Sequence, residues 1–256
     1  MCKKGIRKII LFVFLIIAVL ILWQLYQNRP EVIIKRLSRG SHLNRPNPEL
    51  IYQIKFLGVL PIGQAVIYPL KSDTYQGKEI YFLQAEAFPY AYIKTFLKFK
   101  AKIQSYINRK DYLPILFKQE IEVGEKTDVK EVIYDQENHI MTLRKEQRTI
   151  LPFTYEPLSL ILNLRQMDFS KGREFDLNIN TNQKNYGMQG FVLTKQQTSQ
   201  GDFWILRSQI SRRDKNNPYH RSKVTFYFLD NQERTPLLIK VFASGAYIVA
   251  RLIDVR

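Results

Sequence analysis

Residues 97–107 read Leu-Lys-Phe-Lys-Ala-Lys-Ile-Gln-Ser-Tyr-Ile. Leu97, Phe99, Ala101, Ile103, Ser105 and Ile107 occupy every second position, and Lys98, Lys100, Lys102 and Gln104 fill the gaps. A helix would scatter the three lysines around its circumference, whereas a strand sets them in one row with the apolar residues on the other face. The same period of two runs through 52–56, 117–123, 174–180, 223–229 and 246–255. A chain patterned this way folds as antiparallel sheet.

The stretches between the runs carry turn chemistry. Residues 134–140, 179–186, 198–202, 214–220, 229–236 and 243–247 are rich in Asn, Asp, Gly and Pro, which supply the unusual dihedrals and local hydrogen bonds that reverse a chain. The spacing predicts an all-β domain of about 11–12 strands. A sheet of that size with strong twist curls or closes, which removes its exposed edges, so the expected architecture is a strongly curved sheet, barrel or roll. Such a sheet either fills its interior with side chains or leaves an apolar cavity for one lipid-like molecule, and 16 Phe, 15 Tyr and 2 Trp suit both.

The N-terminus breaks the pattern. Ile9 to Trp23 are fifteen uninterrupted apolar residues, and Gln24, Leu25 and Tyr26 extend the stretch to eighteen. At the helical rise this covers about 27 Å, close to the hydrocarbon thickness of a bilayer. Lys3, Lys4, Arg7 and Lys8 precede it, and positive charge stays on the cytoplasmic side. A cleaved signal peptide would share these features but needs small residues at its cleavage site, and 24–30 offer none. The expected organisation is a cytoplasmic basic stub at 1–8, a transmembrane signal-anchor at 9–26, a linker at 27–48 whose residues 31–38 can continue as a helix at the membrane surface, and a β domain at 49–256. Of the net charge of +16, residues 1–46 hold half, with nine basic residues against Glu31. That placement speaks for membrane topology before nucleic acid.

The second exception is residues 156–177. Leu158, Ile161, Leu162 and Arg165 recur at helical spacing behind Pro157, which suits a first helical position. Glu156 sets negative charge at the helix start and Arg165 positive charge near its end, both favourable to the helix dipole. A helix of about ten residues packed on or plugging the curved sheet is the expected element. Glu156 and Arg165 lie nine residues apart, hence on opposite faces, and do not form a pair. Arg165 is the candidate binding side chain, with two targets: backbone carbonyls of the sheet, the favoured one, or an anionic ligand head.

Three segments resemble a bacterial envelope family, domain of unknown function 3108. The first is residues 52–67, two strands around a Gly58…Gly63 bend. The second is residues 156–179, where Glu156-Pro157-Leu158-Ser159, Leu164-Arg165 and the Gly172 turn match the family's Asp-Pro-Leu-Ser, Leu-Arg and Gly-turn pattern. Glu156 departs from the usual Asp there and keeps its charge. The third is residues 234–252, a closing strand pair around Gly245. The resemblance implies an exported, β-rich domain beyond the inner membrane and brings no reaction with it.

The residues themselves suggest none either. One cysteine, Cys2, rules out a disulfide within the chain and a cysteine-based zinc site, and His42, His139 and His220 lie far apart. There is no nucleophile elbow, zinc-protease motif or phosphate loop. The sequence reading is therefore a non-enzymatic module without cofactor or metal, anchored in the bacterial inner membrane with its domain in the periplasm. Its expected partners are lipid, lipopolysaccharide or a cell-wall glycan, with Lys98, Lys100, Lys102 and Arg165 as candidate contacts. A scaffold for envelope proteins and a hydrolase of envelope polymers are the alternatives.

Overall fold

The computed structural model describes residues 16–38, 43, 45–96, 98–181, 183–213, 222–243 and 245–256. The expected features at 1–15, together with His42, His220 and the turn at 214–220, lie outside these residues. Residues 16–27 are helical, and helix α1 (Pro30–Ser38) follows after a two-residue break.

The chain then forms β1 (Leu50–Phe56), β2 (Leu60–Ile67), β3 (Lys71–Tyr75), β4 (Lys78–Pro89), β5 (Phe99–Asn108), β6 (Pro114–Val123), β7 (Lys126–Asp135), β8 (Ile140–Leu143), β9 (Glu146–Thr149) and β10 (Thr154–Tyr155). Helix α2 (Pro157–Gln166) interrupts the strands. After it come β11 (Glu174–Thr181), β12 (Lys184–Gln196), β13 (Phe203–Arg212), β14 (Ser222–Leu229), β15 (Pro236–Ala243) and β16 (Ala246–Val255). All belong to one sheet in the order β10-β11-β12-β13-β14-β15-β16-β1-β2-β4-β5-β6-β7-β8-β9, with β3 paired to β4 off that path. Every pair is antiparallel except β10 with β11.

The sheet curls around α2, which touches β5 on one arm and β10 and β11 on the other. Side chains bridge the two arms where no strand ladder does. Gln136 Nε2, beyond β7, donates to the Thr154 carbonyl at 2.9 Å, and Asn185 Nδ2 of β12 donates to the Thr149 carbonyl at 2.9 Å. The strands end at two rims. The β1–β2, β4–β5, β6–β7 and β15–β16 turns share one, here called the Gly58 rim. The β5–β6, β7–β8 and β14–β15 turns share the other, the Asp230 rim.

Two apolar layers hold the sheet. On its inner face Leu160 and Leu164 of α2 pack with Met188, Val192, Leu206, Phe226 and Phe228, while Leu158 and Leu162 meet Leu83, Ala85 and Ile107. On its outer face Ile33, Ile34 and Leu37 of α1 pack with Phe203, Ile205, Leu229, Leu238 and Val249. The registers Leu206–Phe226–Ile239 and Ile205–Tyr227–Leu238 show the two faces directly. Strands β14 and β15 are covered on both sides, which is why 226–229 and 236–239 read as continuous apolar runs.

Three expectations change. There are sixteen strands among the described residues, not about 11–12, because β3 and β9 are short, polar and exposed and leave no alternation to read. There is more than one helix. The stretch 27–48 is not a free linker: α1 presents Ile33, Ile34 and Leu37 on one side and docks on β15 and β16, so the folded body starts near Pro30 rather than Pro48. As for the expected span at 9–26, no helix among the described residues is long and apolar enough to cross a membrane. Its described part, 16–26, is helical, and Leu20, Leu22 and Trp23 are each more than half exposed.

Candidate functional site

Helix α2 is held at both ends by residues distant in sequence. Glu156 is its N-cap, in extended conformation, and is fully buried. Its carboxylate accepts from the Leu158 amide at 2.8 Å, the Ser159 amide at 2.6 Å and the Ser105 hydroxyl of β5 at 2.6 Å. The Ser159 hydroxyl lies 3.0 Å from the Glu156 amide, which donates to it and closes a capping box. Loss of hydration raises the Glu156 pKa, and the hydrogen bonds from Ser105, Leu158 and Ser159 oppose that rise.

At the other end, Arg234 donates to the Arg165 carbonyl at 3.1 Å and to the Met167 carbonyl, and its guanidinium lies over the Phe169 ring at 4.4 Å. A cation on the last carbonyls satisfies acceptors that the helix leaves open. Arg165, largely buried, pairs with Glu233. Its Nε donates to the Glu233 carbonyl at 2.7 Å and its Nη2 to the Glu233 carboxylate at 2.8 Å. The expected target was a carbonyl of the sheet; the carbonyl found belongs to the β14–β15 loop and comes with an acid.

Above the first turns of α2 lies an apolar pocket of about 240 Å³. Tyr52 of β1, Ala65 and Ile67 of β2, Ala85 and Ala87 of β4, and Ala101 and Ile103 of β5 form one wall; Ile239 and Ala250 continue it, and Pro157, Leu158 and Ile161 form its floor. The space exists because five inward positions carry alanine where a strand core usually carries a branched or aromatic side chain. Sequence reasoning passed over these residues. The signal was there in Gln84-Ala85-Glu86-Ala87 and Lys100-Ala101-Lys102, where the alternation holds but the apolar member is small.

The lysine row lies on the opposite face of β5 from this pocket. The register sets Lys102 between Glu86 and Glu120 and Lys100 beside Glu122, so that face carries both signs. Lys98 is exposed at the Gly58 rim. Arg165, near the Asp230 rim, and these lysines are therefore not brought together into one site.

The motif glycines have steric reasons. A side chain on Gly63 would run into the Phe88 carbonyl of β4, and one on Gly58 would meet the Tyr247 ring at a left-handed backbone position. Gly172 and Gly245 also turn through positive φ. The three motif segments touch one another: β1 pairs with β16, and Arg234 of the third caps the helix of the second.

A further polar cluster had no sequence signature. Lys55 of β1 is completely buried under the end of the 16–27 helix and donates to Gln24 Oε1 at 2.8 Å and Asn28 Oδ1 at 2.9 Å. Arg251 of β16 donates to the Gln27 carbonyl at 3.1 Å and to Gln53 Oε1 at 2.8 Å, and Asn28 Nδ2 donates to the Gly58 carbonyl at 2.6 Å. Burial, and then the charge of Arg251, lower the Lys55 pKa to about 8.

The family model described as "Protein of unknown function (DUF3108)" matches residues 51–249. No curated protein matches the chain. Among solved structures, the crystal structure of a beta-barrel-like protein of domain of unknown function DUF1849 from Brucella abortus is similar, with TM-score 0.56 and 9% identity over 82% of this chain and 98% of that one. At such identity the likeness concerns the fold alone.

Proposed function

Since the chain belongs to the DUF3108 family, whose description names no reaction, we propose from its own geometry that it is a non-enzymatic binding module of a bacterial cell envelope. In this reading residues 9–26 anchor it in the inner membrane, the sheet stands in the periplasm, and the pocket above α2 takes the apolar chain of an amphipathic molecule.

The alanine-lined pocket carries the reading. Its volume of about 240 Å³ is below the ~300–1,000 Å³ of sites that enclose a whole small ligand. It suits one hydrocarbon chain, with the polar head left outside. Its neighbours give no other chemistry: Glu156 is fully used as a cap, and Arg165 is paired with Glu233. The exposed apolar residues at 16–26 and the four basic residues before the apolar run support the anchor and its orientation.

The test is solvent extraction and mass spectrometry of the purified full-length chain beside Ala101→Phe, which fills the pocket from β5. The wild type should carry an amphipathic species that the variant lacks, with the variant still melting in one cooperative transition. Equal extracts from the two proteins would remove the pocket from the function. A reporter fused after Arg256 should be active only outside the cytoplasm; cytoplasmic activity would overturn the proposed location.

A further inference from the structure

Exposed apolar side chains are not spread evenly over the sheet. Leu57 and Leu60 at the β1–β2 turn, Tyr92 and Phe96 in the β4–β5 connection, and Phe242 at the end of β15 all lie at the Gly58 rim. Phe96 is 90% exposed, and Tyr92 is pinned to the neighbouring hairpin by a 2.5 Å bond from its hydroxyl to the Pro61 carbonyl. At the β5–β6, β7–β8 and β14–β15 turns of the Asp230 rim no large apolar side chain among the described residues is comparably exposed; Phe153, 69% exposed, lies apart from the Gly58 rim in the β9–β10 connection.

Charge divides the same way. The strand ends and connections at the Gly58 rim carry Lys94, Lys98 and Lys126, all exposed, against Glu125. The turns of the Asp230 rim mix both signs, with Asp111, Asp135, Glu137, Asp230 and Glu233 beside Arg109, Lys110 and Arg234.

The apolar helix ends at the Gly58 rim. Asn28 holds the Gly58 carbonyl, Gln24 and Asn28 hold Lys55, and the Gln27 carbonyl is held by Arg251. These bonds fix the end of residues 16–27 beside the exposed turns instead of leaving it on a tether. Aromatic and aliphatic side chains interleaved with lysine suit the headgroup boundary of a bilayer, and the lysines suit its anionic lipids. The pocket lies toward the same rim: Ala87 and Ala101 are each two residues from where β4 ends and β5 begins.

We infer that the Gly58 rim is a membrane-contacting surface, seated on the anionic headgroups of the bilayer through Leu57, Leu60, Tyr92 and Phe96 with Lys94 and Lys98 around them. This deepens the proposed function and rests on its anchor. The pocket mouth then faces the lipid from which an acyl chain would enter.

The test uses the full chain with Cys2→Ser and single spin-labelled cysteines from Leu57→Cys, Phe96→Cys or Phe153→Cys. The host is phosphatidylcholine vesicles with or without phosphatidylglycerol. Labels at 57 and 96 should collide readily with oxygen and several-fold less with a water-soluble nickel chelate, and the label at 153 should do the reverse. Leaving out phosphatidylglycerol should reduce the contrast at 96. An alkaline carbonate wash of the same vesicles tests the anchor separately. Release of the chain would sink anchor and rim together. Retention of the chain, with 57 and 96 as open to the nickel chelate as 153, would sink the rim alone.

Discussion

Glu156 occupies a position where a charged group is costly and is nevertheless the best cap available. The carboxylate receives three hydrogen bonds in a fully buried site, two from amides that the helix start would otherwise leave unpaired. Glu156→Ala removes the cap and strands the Ser105 hydroxyl, so it should cost about 2–4 kcal/mol, the sum of a lost N-cap and a buried unpaired donor. Urea denaturation would show this as a lower midpoint at unchanged slope; a midpoint like the wild type's would mean water replaces the cap. Lys55 gives a prediction in pH. Its folded pKa of about 8 lies below the ordinary lysine value, so between them the unfolded chain holds a proton that the folded chain has shed. Stability should therefore rise with pH from about 8 toward the ordinary lysine range, about 10.4. Lys55→Met should flatten that rise in the thermal midpoint, and a variant with an undiminished slope would exclude Lys55 as its source. These residues also mark what the sequence could tell. The acid before Pro157 and the cation near the helix end are legible from dipole and capping rules. That Ser105 would meet Glu156 is not, because their contact joins positions 51 residues apart and depends on how the sheet curls.

Elements were legible where one face is wet and illegible where both are dry or both are wet. The alternation in β5 gives the strand and its faces, and the burial of Ser105 and Ile107 beside exposed Lys100 agrees. Strand β9, Glu146–Thr149, is exposed at every residue and has no apolar period to find. Helix α1 was legible as a helix, and hidden as part of the domain. Nine residues with three apolar contacts look like a linker, and the surface they cover belongs to strands far along the chain. If α1 is part of the folded body, truncating it there must behave as a core change. Ile34 is 2% exposed and packs in the outer-face cluster. Ile34→Ala should cost about 2–5 kcal/mol, the range for buried large-to-small changes, and amide exchange across 30–38 should be slow in the wild type. Rapid exchange there, with a variant as stable as wild type, would restore the linker reading.

At the scale of the molecule, the order of strands along the sheet and along the chain disagree at one place. Strands β1 to β9 build one arm in sequence and β10 to β15 build the other, and β16 lies between β15 and β1. Seven residues of β1 pair with β16, from Leu50 with Val255 to Phe56 with Ile248. Until that strand is placed, the arms share no ladder, α2 has a wall on each side with no strand pairing between them, and the pocket lacks Ala250. Such non-local pairing is slow to form because the loop entropy is lost before the contacts are gained. The joint also carries the outer face: Val249 is completely buried, Arg251 ties the strand to Gln53 and Gln27, and α1 lies across it. Deleting residues 246–256 should therefore abolish the cooperative thermal transition of the whole sheet, although only one of its strands is removed. Deleting the polar edge strand β9 should leave the transition in place with a modestly lower midpoint. Calorimetry of the two deletions against the full chain decides it. A β16 deletion that still melts in one sharp transition near the wild-type temperature would mean that the side-chain bridges from β7 and β12, with α2 between them, hold the two arms together without it.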